Sequence, residues 1–352
     1  MKIVYVGMRY DYGDPRLGDC YEYSNFHDTL ARMPGVTVED FPYDEILRQE
    51  GKKVMNERLR STARQRPDLY FFVLFTDEFF HETVDWLTRH SGALTLNWFG
   101  DDHWRFDLHS RFWAPLFTWV ITTDQKAVDR YRAIGVNNVI LSQWGFNHHL
   151  MDGTLVREEL DVSFVGRTTP GRKAILRRLQ KEGIDVTVWG RGWKNGRLSP
   201  GDMIQTFKRS RINLNFTESM GGLQPRTLAK AFLARRADQT ISLRPLREVG
   251  PAVRLLLSRP RPQIKGRNFE IPGHGGFLLT SAAEGLDRYY SPGREIEVWN
   301  DPNELVQKIR YYLTHGVERN RMKEEGRRRT LAEHTYERRF REIFRTMGIT
   351  GF

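Results

Sequence analysis

Residues 264–280, IKGRNFEIPGHGGFLLT, join charged side chains, a glycine-rich bend and an apolar run in one short segment. Lys265, Arg267 and Glu270 precede the glycines, and the apolar run 277–279 follows them. This order predicts a helical turn that ends at a glycine bend and leads into a buried strand. Such a bend lets backbone N–H groups approach a phosphate, the cations can hold a diphosphate, and the carboxylate can accept hydrogen bonds from sugar hydroxyls. An ordinary turn beside a solvated ion pair is the alternative.

The segment belongs to a longer pattern. Residues 98–107 in the first half read WFGDDHWRFD, and a set of spaced residues, many of them acidic or aromatic, follows residues 265–279. These later residues are Glu284, Tyr289, Tyr290, Gly293, Glu295, Asp301, Glu304, Leu305, Ile309, Tyr311, Tyr312, Leu313, His334, Thr335, Tyr336 and Arg339. The pattern resembles the CgeB-like (spore-maturation type) glycosyltransferases. The resemblance implies an α/β protein with a GT-B fold, two Rossmann-like domains facing across a cleft, and sugar transfer from a nucleotide-activated donor.

The resemblance also implies roles for particular residues. Glu270 matches the carboxylate that binds the donor ribose hydroxyls in many GT-B enzymes, and Gly275 and Gly276 would place backbone N–H groups near the diphosphate. His274 would contact the donor or leaving group, or else complete the turn as a structural residue. Pro262 occupies the position of a second glutamate, eight residues before Glu270. Retention or inversion of the anomeric centre is therefore left open.

Length and composition describe a globular protein. With 352 residues the chain can form two domains, and its 39% hydrophobic and 28% charged residues are typical of a folded protein. The single cysteine, Cys20, excludes an internal disulfide and suits a reducing cytoplasm. The first apolar run is too short for a signal peptide, and no run reaches membrane-spanning length. We therefore predict a cytoplasmic protein.

Net charge differs between the two halves of the chain. Residues 1–155 contain 17 Lys and Arg against 22 Asp and Glu, whereas residues 156–352 contain 38 against 22. The positive excess of the second half favours a phosphate-bearing ligand or an anionic surface as its partner. Nucleic acid is a weaker candidate, because the sequence has no zinc-finger spacing, no RNP-like strand and no recognition-helix pattern.

Residues 1–155 alternate apolar runs with polar helical segments, which predicts a Rossmann-like domain with a parallel sheet. The candidate strands are residues 2–6, 69–75, 94–99, 119–122 and 139–142. We assign acceptor binding to this domain. His148 and His149 lie near its end, but two adjacent residues do not share one face of a helix, so the sequence predicts no metal site.

Three polar residues follow the candidate strand 94–99. Asp101, Asp102 and His103 would lie at the carboxyl end of this strand, where ligands of parallel sheets bind. Two carboxylates and an imidazole can supply the general base for an acceptor hydroxyl, with Asp102 and His103 as the stronger candidates. A helix cap is the alternative, because Asp is favoured at helix amino termini.

The second predicted domain, residues 156–335, opens with a strand, a loop and a basic helix. The loop and helix contain Arg167, Arg172 and Lys173. The pattern is typical of an anion site, because a helix amino terminus adds positive potential. It is also similar to the donor domains of many GT-B enzymes, so Arg167 and either Arg172 or Lys173 are candidates for binding the donor diphosphate. A solvated basic helix is the alternative.

Two further residues complete the predicted donor site. Trp193 follows a glycine turn, where its ring can stack on a nucleobase or pack against a domain surface. Glu218 directly follows the candidate strand 212–216, so we expect it at the carboxyl end of that strand.

Residues 219–263 form a basic insert relative to the family pattern, with nine basic and two acidic residues. Its apolar residues permit amphipathic helices, so we predict peripheral contact with an anionic surface such as a membrane face. A solvated helical insert is the alternative. The sequence of residues 336–352 predicts a helix. In the GT-B class, a final helix of this kind crosses back to the first domain.

Together these observations predict a glycosyltransferase that uses a nucleotide-diphosphate sugar and modifies a glycan, lipid, protein or small molecule. The cations and N–H dipoles would neutralise the leaving diphosphate, so we expect neither a cofactor nor an obligatory metal. Three other functions stay open, namely a DNA-modifying glycosyltransferase, a GT-B-like nucleotide-sugar epimerase and a non-catalytic protein that binds anionic polymers.

Overall fold

The computed structural model describes residues 1–154, 156–217, 232–237, 240–257 and 261–350, except the side chains of Arg235 and Arg247. These residues form two compact units. The first unit contains the chain up to Gln143, the described residues between 232 and 261, and the chain from Arg339 onward. The second unit contains the described residues of 144–217 and 262–338.

The strands are numbered in chain order. They are β1 (Lys2–Gly7), β2 (Thr37–Pro42), β3 (Leu69–Phe72), β4 (Leu94–Phe99), β5 (Trp119–Thr122), β6 (Val139–Leu141), β7 (Leu160–Val165), β8 (Thr187–Trp189), β9 (Ser210–Asn215), β10 (Leu233–Arg235), β11 (Ile241–Leu243), β12 (Leu278–Ser281) and β13 (Glu297–Trp299). The first unit contains a parallel sheet in the order β2-β1-β3-β4-β5-β6. The second contains a parallel sheet in the order β13-β12-β9-β7-β8. The predicted α/β fold with two Rossmann-like sheets is therefore confirmed.

The helices are numbered in the same way. They are α1 (Asp28–Arg32), α2 (Tyr43–Ser61), α3 (His81–His90), α4 (Asp102–Arg105), α5 (Arg111–Trp113), α6 (Gln125–Ala133), α7 (Pro170–Lys181), α8 (Pro200–Arg209), α9 (Leu246–Leu257), α10 (Arg267–Gly273), α11 (Pro302–Thr314), α12 (Gly316–Glu333) and α13 (Tyr336–Thr346). No helix among the described residues is long and apolar enough to span a membrane.

The central strands of both sheets are buried, as expected of parallel sheets that helices cover on both faces. Val4 and Tyr70 lie in the core of the first unit, and Phe164 and Leu214 lie in that of the second. Helix α13 contributes Phe340 to the first unit, where its ring lies 5.6 Å from that of Phe71. The parallel pairing of the strands places their carboxyl ends along one edge of each sheet.

The described part of the basic insert belongs to the first unit, whereas the sequence analysis places the insert in the second domain. The Ala237 N–H donates to a carboxylate oxygen of Asp77 at 3.0 Å, and the Arg236 guanidinium lies 3.7 Å from the same carboxylate. The Arg261 guanidinium lies 3.0 Å from Asp124. Attraction between the basic insert and the acidic first half explains the difference.

Residues 264–280 have the predicted local structure. Helix α10 ends at Gly273, a glycine bend follows, and β12 is fully buried. Helix α10 and β12 run in opposite directions, so the start of α10 lies toward the carboxyl edge of the second sheet and the bend lies toward its amino edge. The predicted arrangement of the two domains across a cleft stays a prediction.

Candidate functional site

The carboxyl ends of three strands in the second sheet bring neighbouring loops together. Gly166 follows β7, Gly190 follows β8 and Phe216 follows β9. β7 lies between β8 and β9, so the three loops are adjacent. Because ligands of open parallel sheets bind beyond the carboxyl ends of the strands, this edge is the candidate donor site.

Glycines let the loops after β7 and β8 approach closely. A Cβ at Gly190 would lie 2.3 Å from the Gly166 carbonyl oxygen, and the φ of Gly190 is +128°. A Cβ at Gly192 would lie 2.3 Å from the methyl carbon of Thr168. The Trp193 indole N–H donates to the Gly166 carbonyl oxygen at 2.8 Å. A larger residue at Gly190 would therefore require a backbone shift.

The three predicted cations of this region have different surroundings. Arg167 and Lys173 are exposed, and neither forms an ion pair with any residue that the structure describes. The Lys173 ammonium lies 6.0 Å from the centre of the Trp193 ring. Arg172 instead donates hydrogen bonds to the carbonyl oxygens of Arg167 at 2.8 Å and of Phe216 at 3.2 Å. Arg172 thus links two loops, and Arg167 and Lys173 present the charges available to an anion.

The structure does not test the predicted roles of three other residues of the sugar-donor site. The ring of Trp193 packs on the core of its own unit and lies edge-on to Phe164, so stacking on a nucleobase stays a prediction. Lys265 is half-buried just before α10, and its backbone N–H donates to the side-chain oxygen of Asn268 at 2.9 Å. Glu218 lies outside the residues that the structure describes.

A buried polar network holds the start of α10 against the sheet, and the sequence analysis missed it. The Asn215 side-chain amide donates to Asn268 at 3.2 Å and to the Thr280 hydroxyl at 3.1 Å, and Asn268 donates to Thr280 at 3.2 Å. All three residues are buried. A polar residue at a core-facing position of β9, within the run INLN, is the signal that could have found it.

Helix α10 presents Arg267, Glu270 and His274 on one side. The Arg267 guanidinium pairs with the Glu270 carboxylate, which is almost fully buried. Burial lowers the pKa of His274 to about 3, and the positive charges of Lys208, Arg267 and Arg327 act in the same direction. His274 is therefore neutral at pH 7, and its ring packs edge-on against Phe146 at 4.8 Å.

The neutral state of His274 predicts acid sensitivity. An unfolded histidine has a pKa of about 6.5, so the unfolded chain binds the proton more readily. The stabilisation is fully present above about pH 6.5 and is lost as the pH falls toward 3. Between pH 7 and pH 5 we expect the parent to lose about 2 kcal/mol more unfolding free energy than His274→Phe, measured by urea titration.

The exposed His90 supplies the control for this measurement. His90→Phe should keep the pH dependence of the parent, because it replaces an exposed histidine and leaves His274 in place. Equal pH dependence in the parent and His274→Phe would contradict the buried neutral state.

The predicted diphosphate contacts of Gly275 and Gly276 do not fit the structure. The Gly275 N–H donates to the Pro272 carbonyl, and the Gly276 N–H donates to the Ile271 carbonyl, both at 2.8 Å. A Cβ at Gly276 would lie 2.8 Å from the side-chain nitrogen of Asn213. These glycines end helix α10 toward the amino edge of the sheet, away from the candidate site.

The predicted base Asp102 requires a correction. Asp102 is fully buried, and its carboxylate accepts a hydrogen bond from the Tyr131 hydroxyl at 2.8 Å. Burial raises the pKa of Asp102 to about 7, but a general base must reach the proton that it removes. Asp101 and His103 are half-buried, and both ring nitrogens of His103 are buried.

Glu22 is a titratable residue that the sequence analysis missed. It lies at the start of the helical segment that follows β1. Burial raises the pKa of Glu22 to about 7, and the negative charges of Asp101 and Asp11 raise it further. The loops after β1 and β4 thus bring carboxyl groups close together. Only the spatial proximity of these loops reveals Glu22, since its local sequence carries no motif.

The sequence pattern of one protein family covers much of this region. The family described as glycosyl transferase-like matches residues 167–232 and 236–345, together half of the chain. The chain belongs to the glycosyl transferase-like family. This membership supports the predicted glycosyltransferase activity, and the matched residues include Arg167, Lys173 and Glu270. No curated protein matches the sequence of this family member.

Solved structures share the fold of this glycosyltransferase at low sequence identity. HepE from Anabaena, in complex with UDP-glucose, has 11% identity and a TM-score of 0.61 over 99% of this chain and 100% of its own. Sucrose-phosphate synthase from Thermosynechococcus elongatus has 11% identity and a TM-score of 0.60 over 99% of each chain. The lipopolysaccharide outer core galactosyltransferase WaaB has 11% identity and a TM-score of 0.53 over 99% of each chain. These similarities confirm the predicted GT-B fold.

Proposed function

We propose that this glycosyltransferase binds a nucleoside-diphosphate sugar at the carboxyl edge of its second sheet and transfers the sugar to a hydroxyl acceptor. The observation that carries the proposal is the pair of exposed cations, Arg167 and Lys173, beside a loop held by Gly190 and Arg172. Charge-assisted hydrogen bonds to phosphate oxygens are among the strongest in proteins. The fold shared with HepE, solved with UDP-glucose, adds an analogy at the level of the fold.

The proposed donor site divides into two parts. Arg167 and Lys173 bind the diphosphate, and the amino end of α7 adds positive potential where negative charge develops on the leaving group. This neutralisation makes an obligatory metal unnecessary in our mechanism. Glu270 binds the ribose hydroxyls, with its carboxylate oriented by Arg267 and its helix held by the Asn268 network.

We assign acceptor binding to the first unit. Asp101, His103 and Glu22 lie in segments that follow its strands, and each is half-buried. A carboxyl group with a pKa near 7, such as Glu22, can take a proton from an acceptor hydroxyl at neutral pH. The acceptor is a glycan, lipid, protein or small molecule. Within the family, residues 98–107 and 265–279 favour the CgeB-like group, and the single cysteine, Cys20, favours a cytoplasmic location.

The proposal is tested by thermal denaturation with UDP, GDP, dTDP, ADP, CMP and the corresponding nucleotide sugars. A ligand at a hundred times its dissociation constant stabilises by about 2.7 kcal/mol, which raises the melting transition measurably. We expect one diphosphate series to stabilise the parent but not Glu270→Ala. The absence of any nucleotide effect would contradict the proposal. Steeply salt-dependent DNA binding would favour a DNA-modifying enzyme, and isomerisation of the nucleotide sugar without an acceptor would favour an epimerase.

We also propose that the described part of the basic insert contacts an anionic membrane surface. Large apolar side chains in this part are 54–91% exposed, namely Phe232, Ile241, Leu243, Leu246 and Leu257. Arg254 is exposed beside them. The carboxylates of Asp77 and Asp124 neutralise Arg236 and Arg261, so apolar insertion would supply much of the binding energy.

Flotation with vesicles tests this contact. We expect the parent to float with phosphatidylglycerol-containing vesicles and a Leu243→Ser, Leu246→Ser variant to stay behind. Val317→Ser is the matched control, because Val317 is an exposed apolar residue of the second unit. Failure of the parent to float, or equal flotation of the double variant, would argue for a solvated insert.

A further inference from the structure

Two histidines and a glutamate converge in the second unit, outside the candidate donor site. His148 and His149 lie in a short 3-10 turn, His148–Leu150, and Glu337 lies in the first turn of α13. One ligand atom from each of the three side chains lies within 4.8 Å of the others. The His148 Nε2 lies 3.5 Å from a carboxylate oxygen of Glu337, and the two imidazole rings lie 4.0 Å apart.

The main chain holds the two segments together. The Phe146 N–H donates to the His334 carbonyl at 2.9 Å, and the Tyr336 N–H donates to the Phe146 carbonyl at 3.0 Å. Phe146 and Thr335 form a parallel bridge. The Asn147 side-chain oxygen accepts a hydrogen bond from the backbone N–H of His149 at 3.0 Å. Both segments are therefore fixed before any ligand binds.

The sequence predicts no metal site at His148 and His149 because adjacent residues of an α-helix point to different faces. In the structure, however, the two histidines lie in a single 3-10 turn, and their rings are tilted by 37° to each other. In this conformation one nitrogen of each imidazole and one carboxylate oxygen of Glu337 lie within 4.8 Å of one another.

We propose that His148, His149 and Glu337 bind one divalent transition-metal ion, for which zinc is the best fit. Imidazole nitrogen and carboxylate oxygen are common zinc ligands, and water can complete a tetrahedral set of four. Zinc–ligand bonds of about 2.0–2.2 Å place neighbouring ligand atoms roughly 3.3 Å apart. Small side-chain rotations suffice to reach this spacing from the 4.8 Å limit that now encloses the ligand atoms.

Such an ion would connect two segments that are distant in sequence. His148 and His149 lie near the start of the first chain segment of the second unit, and Glu337 lies near the end of its last segment, so the ion would join these two segments. The ion would stabilise the folded second unit, because the unfolded chain does not hold these ligands together. The side chains of His148 and Glu337 are 28% and 23% exposed, so an ion can enter from solvent.

Metal titration of the full-length, chelator-treated protein tests the site. With Zn²⁺ in calorimetry and Co²⁺ in visible absorption, we expect the parent to bind one ion per chain, with a tetrahedral Co²⁺ spectrum. His148→Ala and Glu337→Gln should each weaken binding at least about tenfold, because each removes a direct ligand. His90→Ala is the matched control and should bind as the parent does, since His90 is exposed on α3.

Thermal denaturation gives a second readout that does not depend on glycosyl transfer. Zn²⁺ should raise the melting transition of the parent and of His90→Ala, but not that of the two ligand variants. Circular dichroism confirms that each variant is folded. The proposal is overturned if the parent takes up no stoichiometric ion, or if folded His148→Ala and Glu337→Gln bind it as tightly as the parent.

Discussion

The Arg167→Ala variant is expected to bind the donor diphosphate about 10- to 100-fold more weakly than the parent, because hydrogen bonds to charged groups contribute about 1.5–3 kcal/mol. The Arg167 side chain is exposed, and it has no ion-pair partner among the described residues. Arg172 holds the Arg167 carbonyl rather than its side chain, so the substitution leaves the loop in place. Calorimetric titration with the diphosphate that gives the largest thermal stabilisation measures the effect.

Lys181→Ala is the control for Arg167→Ala. Lys181 is an exposed cation at the opposite end of α7, so its removal changes the net charge equally but leaves the candidate site intact. If Lys181→Ala binds the diphosphate as tightly as the parent, the weaker binding of Arg167→Ala is due to the loss of a direct contact. Equal losses in both variants would indicate a general electrostatic attraction, and unchanged affinity in Arg167→Ala would contradict the donor site.

The Gly190→Ala variant is expected to lose about 3 kcal/mol or more of unfolding free energy. Its Cβ would lie 2.3 Å from the Gly166 carbonyl oxygen, and a φ of +128° is unfavourable for any residue with a Cβ. Relief of this contact would move the loop that carries Arg167. Donor affinity should therefore fall together with stability, as measured by urea unfolding and by nucleotide titration.

Gly183→Ala is the control that measures the cost of a positive φ without a close contact of the Cβ. Gly183 also has a positive φ, +74°, but a Cβ there would meet nothing within 4 Å. The backbone cost alone is about 1–2 kcal/mol, and donor affinity should not change. Equal destabilisation by the two substitutions would show that the close approach of Gly190 to Gly166 has no energetic consequence.

The fold could be predicted where apolar runs are long and buried on both faces. Strands β3, β4 and β5 have this character, and so does β12 with its preceding glycine bend. Strand β2 was missed because it is an edge strand with the sequence TVEDFP, in which only Phe41 is buried. Strand β13 was missed because its sequence EVW begins with a charged residue and contains only two apolar residues.

The candidate site was predictable only where its chemistry is local. Arg167 and Lys173 belong to one strand–loop–helix pattern, which the sequence displays directly. Asp102 is unsuited to act as a base because it is fully buried and accepts a hydrogen bond from Tyr131, a residue of another helix that no local pattern connects with it. Glu22 was missed for the same reason, since burial in the folded unit raises its pKa and the Asp101 carboxylate from another loop raises it further.

The ion pairs of Arg236 and Arg261 place the basic insert in the first unit, and this changes the electrostatic field that a distant ligand experiences. Residues 1–143 contain 17 Lys and Arg and 21 Asp and Glu. The described residues of the insert add six Arg and one Glu, and residues 339–350 add three Arg and one Glu, which gives 26 basic and 23 acidic residues. The first unit therefore carries more basic than acidic groups. A phosphorylated or acidic acceptor diffusing toward it would meet attraction rather than repulsion, and its association rate should decrease as salt shortens the reach of that field.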